Sequence, residues 1–185
     1  MNNFQDSLRK ILNIILLAAI LVYGISFGEE NKTLSSHLKP FDTYIGKTFK
    51  GKFPTSTSSH PMLDVLHWER ALNGNAVRIV HSVNNGEYGG ETIIMWDPKA
   101  GRLSSWYFTT GGNYTQSTID IEKDSLIFIE DVSGNNNGIT KVKTIIQTLY
   151  GGKLQSRSKF LMNDVWVNGH EVIYQEEPNA QVIFK

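Results

Sequence analysis

The sequence predicts an all-β protein, an antiparallel up-and-down meander of nine or ten strands that closes into a barrel after an N-terminal signal segment. Four Asn-Gly dipeptides and three Gly-Gly pairs divide the chain. Most of the segments between them are eight to eleven residues long and rich in Val, Ile, Trp, Tyr, Phe and Thr. Asn-Gly suits a two-residue type I′ hairpin turn, because both central residues of that turn need a positive φ.

The first 28 residues are predicted to be a signal peptide. Arg9 and Lys10 precede an apolar run over residues 11–22, and small residues follow up to Gly28. A basic segment, an apolar segment and a small-residue cleavage site are typical of secretory signals. Cleavage after Ser26 or after Gly28 fits the rule, and an uncleaved membrane anchor is the alternative, although a spanning helix needs roughly 20 apolar residues. Either alternative predicts a periplasmic or secreted protein.

The rest of the chain is predicted to be a short spacer and one domain. Residues 29–40 are polar and end at Pro40, and residues 41–185 are enough for a single apolar core. The first strand is predicted at 43–53, followed by a loop bracketed by Pro54 and Pro61. Alternating or β-rich runs between turn residues predict the later strands, near 64–72, 76–83, 91–97, 102–109, 113–121, 125–132, 139–149, 153–162 and 171–176, with 181–185 as a candidate closing strand. Closure into a barrel is favoured over a sandwich because it leaves no exposed sheet edge.

Composition excludes several classes of function. Without Arg9, Lys10 and Asp6, 16 of the 18 basic and 17 of the 18 acidic residues remain. This balance, with no run of Lys or Arg, predicts no nucleic-acid partner and no membrane contact other than through the N-terminal segment. The absence of cysteine excludes a lipid-modified N-terminal Cys, disulfides and thiol catalysis.

The alternation over residues 153–162 indicates what the barrel encloses. Lys153, Gln155, Arg157 and Lys159 share one face, and the other face carries apolar residues together with Ser156 and Ser158. Small hydroxyl side chains on an inner face leave room for a ligand. The alternative is that small residues only fit the taper of the barrel.

The Asn73-Gly74 turn predicts the register of the hairpin around it. Arg70 would pair with Val77, and likewise Trp68 with Ile79 and Leu66 with His81. The inward face is then Leu66, Trp68, Arg70, Leu72, Val77, Ile79, His81 and Val83. The outward face places Glu69 opposite Arg78, as a cross-strand ion pair.

This register yields the candidate ligand-binding residues. Arg70 and His81 are polar groups on an apolar inner face, where a buried charge needs a partner, and Trp68 and Ile79 would form the wall beside them. Trp96, from the aromatic set on the neighbouring strands, is the fifth candidate. Two alternatives stay open: Arg70 pairs with Glu87 or Glu91 in the core, and His81 donates to a backbone carbonyl.

The sequence predicts no catalytic residues, no metal site and no cofactor. The five histidines have no metal-ligand spacing, and no nucleophile motif or isolated acid–base pair is present. Residues 84–91 have the glycine density of a phosphate-binding loop, but the chain continues as strand rather than as a helix, so a hairpin loop is favoured.

Several motifs resemble a known family of barrels. Tyr44-Ile-Gly-Lys-Thr-Phe-Lys-Gly51 is similar to the Gly-x-Trp opening of lipocalin-like, or calycin, barrels, with Phe49 three positions after Gly46 rather than two. Residues 68–74, 89–97 and 106–109 are similar to the DUF1579-like group of exported bacterial barrels, a family of unknown function. The resemblance covers roughly residues 40–185. It implies a calycin-like barrel with a cavity open at one end and the loop from Pro54 to Pro61 over the mouth, and it implies no activity.

Two classes of function follow from these observations, with a third behind them. The first is an exported binding protein that holds a small apolar or amphipathic ligand in its barrel. The second is a barrel with a filled core that acts through its surface in the cell envelope, which side chains of Trp96, Trp106 and Phe108 inside the barrel would favour. The third is an enzyme that uses the same cavity. A cavity of about 300 Å³ or more would favour the first and third.

Overall fold

The computed structural model describes residues 33–132 and 137–185, so the predicted signal peptide lies outside the described residues. These residues form ten strands, one short 3-10 helix at Ser36–Phe41, and two three-residue 3-10 turns, Leu72–Gly74 and Tyr150–Gly152, that contain residues with positive φ. The strands are β1 Thr48–Lys52, β2 Leu63–Ala71, β3 Ala76–Val83, β4 Tyr88–Asp97, β5 Arg102–Thr109, β6 Tyr114–Glu122, β7 Ser125–Asp131, β8 Ile139–Thr148, β9 Leu154–Met162 and β10 Val165–Glu176.

The ten strands form one closed antiparallel barrel, which confirms the predicted fold class. Each strand from β1 to β9 pairs with the next one in the chain, and β10 returns to pair with β1. Closure joins Phe49 to Glu176 and Lys52 to Ile173. No strand therefore leaves an unpaired edge, the condition that favoured a barrel over a sandwich.

The hairpin between β2 and β3 has the predicted register. Asn73 and Gly74 both have positive φ, 55° and 87°, and the Asn75 N–H donates to the Leu72 carbonyl at 3.0 Å. Leu66 pairs with His81, Trp68 with Ile79 and Arg70 with Val77. The type I′ turn fixes this pairing because its twist matches that of the two strands.

One end of the barrel is filled by the chain that precedes β1. The side chains of Leu34, Leu38, Phe41 and Tyr44 are 0–5% exposed and belong to the apolar core. Burial of each large apolar side chain contributes about 1.5–3 kcal/mol. We call this the closed end, and its core residues include part of the predicted spacer.

Backbone hydrogen bonds attach this segment to the barrel. The Ser35 N–H donates to the Gly74 carbonyl at 2.9 Å, and the Gly46 N–H donates to the Trp68 carbonyl at 2.8 Å. The opposite end of the barrel, which we call the mouth, carries the loops 53–62, 84–87 and 110–113 between strands. The longest of these loops, 53–62, joins β1 to β2.

Three expectations about strand boundaries were wrong. The first strand begins at Thr48 rather than at residue 43, because residues 42–46 form turns. Residues 181–185 are not a strand, since β10 already closes the barrel and the chain after Pro178 runs along the outside, where the Ile183 N–H donates to Ser82 Oγ at 3.0 Å. Asn168-Gly169 lies inside β10 at a register shift, and the turn is at Asn163-Asp164.

Within residues 33–132 and 137–185, no helix is long and apolar enough to cross a membrane.

Candidate functional site

The barrel encloses a cavity of about 400 Å³. Its walls are inward-facing side chains of the strands, and the packed residues of the closed end lie beneath it. The cavity exists because seven of its lining residues are serines or threonines, whose small side chains leave the interior unfilled. These are Thr92, Ser105, Thr115, Ser117, Thr144, Ser156 and Ser158. Ser156 and Ser158 therefore face the interior, as the alternation of β9 predicted.

The apolar part of the cavity wall belongs to the core of the protein. Leu66, Ile79, Phe128 and Ile146 line the cavity and pack against the buried cluster around Trp68. Trp68 itself is 1% exposed, and its indole ring stacks on Tyr44 with ring centres 4.8 Å apart. Its Nε1–H has no hydrogen-bond partner among the described residues. A buried unpaired donor costs about 1–3 kcal/mol, so an acceptor bound beside it would be stabilised.

Four ionisable side chains form a connected polar network in the cavity wall. Asp64, which is 5% exposed, accepts a hydrogen bond from the Tyr174 hydroxyl at 2.8 Å on Oδ2. Its Oδ1 lies 3.1 Å from Nδ1 of His81, and Nε2 of His81 lies 2.7 Å from the Tyr107 hydroxyl. The Tyr107 hydroxyl also contacts the Tyr88 hydroxyl at 3.2 Å. The network thus joins four strands, β2, β3, β5 and β10, around one carboxylate, and Tyr88 adds a contact to β4.

Both ring nitrogens of His81 bind protein groups. A carboxylate oxygen accepts hydrogen bonds, so Nδ1–H of His81 donates to Asp64. The Tyr107 hydroxyl donates to Tyr88, and its oxygen lies 2.7 Å from Nε2 of His81.

Burial keeps the two tyrosines of this network protonated. Burial raises the pKa of Tyr107 far above its ordinary value of 10.0, and the hydrogen bond with Tyr88 adds to that shift. The pKa of Tyr174 is also well above its ordinary value, first because of burial and then because of the Asp64 charge. Both phenols are therefore hydrogen-bonding groups rather than anions at neutral pH.

A glycine makes room for each of these tyrosine rings. A Cβ on Gly51, the partner of both Tyr174 and Asp64 in the sheet, would lie 2.6 Å from Tyr174 Cδ1. A Cβ on Gly90, the partner of His81, would lie 2.4 Å from Tyr107 Cε2. Side chains at these positions would displace the rings, so the two glycines permit the network to form.

A second carboxylate lies on the opposite wall. Glu130 lines the cavity from β7, which is five strands away from β2 in either direction around the ten-stranded barrel. It is the second-last residue of β7, as Asp64 is the second residue of β2, so both lie toward the mouth. Burial raises the pKa of Glu130, and a hydrogen bond from Thr115 partly opposes this rise.

Aromatic side chains flank the cavity near the mouth. The His170 ring lies edge-on to Phe53 and to Phe160, with ring centres 6.4 Å and 6.0 Å apart. Phe53 and His170 both line the cavity. Gly169 sits close against β9, since a Cβ there would lie 2.5 Å from Ser158 Oγ.

The structure places three of the five predicted site residues at the cavity. Trp68, Ile79 and His81 line it. Arg70 and Trp96 are near the closed end instead, where Arg70 Nε donates to the Thr33 carbonyl at 3.2 Å. The Trp96 indole stacks on the ring of His37, with ring centres 3.7 Å apart and planes within 6°.

The two glutamates considered as partners of Arg70 contact other side chains. Glu91 bonds Arg78 at 2.7 Å, and Glu87 accepts from Asn84 at 3.1 Å. His81 binds side chains rather than a backbone carbonyl. The outward pair of Glu69 and Arg78 is confirmed, and Glu91 joins it on the other side of the guanidinium.

Sequence reasoning missed the polar residues Asp64, Tyr107, Glu130, His170 and Tyr174. A signal for one of them was available, since the predicted register extends by two pairs beyond Leu66 and His81 and places Asp64 opposite Val83 on the inward face. The other four lie on strands whose register the sequence analysis did not predict.

A second space lies outside the barrel. It is a groove of about 710 Å³ between the C-terminal segment and the outer faces of β1 to β3. Lys50, Val65 and Ser82 form its floor, and residues of the loops at the mouth form its side. The smaller interior cavity is the stronger candidate because its wall carries the buried carboxylate, the histidines and the unpaired indole donor.

No protein-family model matches the chain, and no curated protein matches it closely enough to show a family.

In the part of the chain that the structure describes, no three His, Cys, Asp or Glu side chains are arranged to hold a metal ion.

Proposed function

We propose that this protein is an exported binding protein that holds one small amphipathic molecule inside its barrel. The observation that carries the proposal is the 400 Å³ cavity, whose wall is apolar around Trp68 and Ile79 and ionisable around Asp64 and His81. Ligand pockets typically have volumes of about 300–1,000 Å³ and combine apolar walls with a few placed polar groups.

The wall residues suggest how such a molecule would be oriented. Its apolar part would contact Leu66, Trp68 and Ile79, which join the core toward the closed end. Its polar part would face the mouth, where Asp64, His81 and Glu130 lie. An acceptor atom near Trp68 would give the Nε1–H a partner.

Binding is favoured over the two alternatives. A filled-core barrel would have large side chains throughout the interior. Trp96 does pack against the core at the closed end, but Trp106 and Phe108 alternate with the inward Tyr107 and so lie on the outer face. Catalysis by His81 would need a ring nitrogen available to a substrate, and both nitrogens bind protein groups.

Export and membership of the calycin-like, DUF1579-like barrels belong to the same proposal. Export is supported by the basic and apolar pattern of residues 9–28. The family is supported by the motifs at residues 44–51, 68–74 and 89–97 on a closed ten-stranded barrel.

A cavity-filling substitution tests the proposal. Ser156→Leu places an aliphatic side chain inside the cavity, and Arg157→Leu places the same side chain on the exposed outer face as the matched control. We expect 1-octanol to bind the wild type and Arg157→Leu, and to bind Ser156→Leu at least about tenfold more weakly. Equal binding by all three proteins in isothermal titration calorimetry would show that the cavity is not the site, provided that circular dichroism shows all three folded.

A further inference from the structure

The charges on the cavity wall are unevenly distributed. Its ionisable residues are Asp64, Glu130, His81, His170, Tyr107 and Tyr174, and among the described residues no lysine or arginine lines the cavity. A cavity built to hold a carboxylate or a phosphate would be expected to supply a permanent cation, because a buried anion needs a partner. The wall instead supplies two carboxylates and no permanent cation.

The two carboxylates differ in how they are compensated. Asp64 accepts from the Tyr174 hydroxyl and faces His81, so the protein itself satisfies its charge. Glu130 has the Thr115 hydroxyl and forms no ion pair with any residue that the structure describes. Its carboxylate is therefore the acceptor on the cavity wall that a ligand cation can pair with.

The position of Glu130 suits this role. It lies on the strand diametrically opposite β2, toward the mouth, and the apolar residues Phe128 and Leu126 precede it on the same face of β7. Phe128 lines the cavity and Leu126 is 3% exposed in the core. A molecule lying along β7 would thus meet apolar side chains first and a carboxylate at its outer end.

We propose that the ligand is a cationic amphiphile, a primary or secondary amine with an apolar tail, whose ammonium group pairs with Glu130. This inference rests on the proposed function and names the chemical class of its ligand. An anionic amphiphile of the same size is disfavoured because its charge would face Asp64 and Glu130 across a narrow barrel.

The burial of Glu130 gives the proposal a pH signature. Its pKa is raised by burial, so lowering the pH protonates it early and removes the partner of the ammonium group. The other titratable groups that face the cavity are Asp64, His81, His170, Tyr107 and Tyr174. An alkylamine stays protonated throughout the acid and neutral range, as lysine does. Amine affinity should therefore rise with pH through the titration of Glu130.

Three probes with the same eight-carbon chain test the charge preference. They are 1-octylamine, 1-octanol and octanoate, titrated into the full chain at pH 7 by isothermal titration calorimetry. We expect octylamine to bind at least about tenfold more tightly than octanoate, with octanol between them. Glu130→Gln should remove the preference of octylamine over octanol, and Asp131→Asn, the next residue on the exposed side of β7, should leave it unchanged.

The outcomes separate this inference from the proposed function. Octanol binding with no preference for octylamine would keep the binding cavity and overturn the cationic ligand. Tightest binding by octanoate would also overturn the cationic ligand. So would a Glu130→Gln variant that still prefers octylamine over octanol as strongly as the wild type does. Failure of all three probes to bind wild-type protein would overturn both proposals. A loss of octylamine affinity between pH 7 and pH 4 that is absent in Glu130→Gln is the result expected if the ammonium pairs with Glu130.

Discussion

Asp64 and His81 are 17 positions apart in the chain, and their side chains meet at 3.1 Å inside the barrel. The contact follows from the Asn73-Gly74 turn, which sets the register of β2 and β3 and turns both residues to the inner face. Asp64 is 5% exposed, so its charge depends on this contact and on the Tyr174 hydroxyl. The pair is therefore a structural feature of the cavity as well as part of its chemistry.

Asp64→Asn is expected to destabilise the protein by about 1–3 kcal/mol. The amide cannot accept from both Tyr174 and His81 as a carboxylate does, so a buried polar group loses its partner. Urea unfolding of the wild type, Asp64→Asn, His81→Leu and the double variant would measure this. We expect the double variant to lose less unfolding free energy than the sum of the losses of the two single variants.

Asp131→Asn is the control for that series, since its contact with Lys141 lies on an exposed surface. It should change the free energy of unfolding by no more than about 0.5 kcal/mol. Additive costs of Asp64→Asn and His81→Leu would contradict the coupled network.

Gly51→Ala and Gly90→Ala should each destabilise the protein by about 1–3 kcal/mol through overpacking. The new Cβ would press against the Tyr174 ring in the first variant and the Tyr107 ring in the second, at 2.6 Å and 2.4 Å. Gly111→Ala is the matched control, because its Cβ would meet no atom closer than 3.4 Å. Thermal unfolding compares the three, and a control as unstable as the variants would show that loss of glycine alone is responsible.

The burial of Glu130 predicts a pH dependence of stability. Because the pKa is higher in the folded than in the unfolded protein, its contribution is fully present below the ordinary pKa of a glutamate and is lost as pH rises through the folded value. Glu130→Gln removes this loss, so its stability relative to the wild type should increase from pH 4 to pH 7. Urea unfolding at several pH values checks it, and a constant difference across the range would show that Glu130 is not buried as described.

Glu91 predicts the opposite dependence on the outer face. The hydrogen bond from Arg78 lowers its pKa, so its contribution is present above the ordinary value and is lost as pH falls through the folded value. Glu91→Gln should be less stable than the wild type at pH 7 by no more than about 1 kcal/mol, because the pair is partly exposed. The difference should disappear in acid. Glu122→Gln, at the exposed end of β6, should show no such trend.

The strand order and the inner face were predictable where a short turn sets the register. Asn73-Gly74 fixes the pairing of β2 with β3, and the alternation of β9 places Ser156 and Ser158 inside. Glycine dipeptides alone were less informative. Gly89-Gly90 lies within β4, where Tyr107 and the β5 backbone approach closely, and Asn168-Gly169 is a bulge in β10. A glycine needed for close packing has the same sequence signal as a glycine needed for a turn.

The closed end and the polar network were not predictable in this way. Leu34 and Leu38 lie in a polar stretch, and only contact with the barrel makes them core residues. Glu130 follows the run Leu126-Ile-Phe-Ile129, which has no polar alternation to show which face is inward. Tyr174 meets Asp64 because β10 closes on β1, a pairing across more than 100 residues.

The most direct test of a ligand-holding cavity compares native and denaturing mass spectra of the protein purified from its own cells, for the wild type and Ser156→Leu. The account predicts a defined non-covalent mass on the wild type that is lost on denaturation, and no such mass on Ser156→Leu. A wild-type spectrum without any adduct, or the same adduct on both proteins, would contradict it.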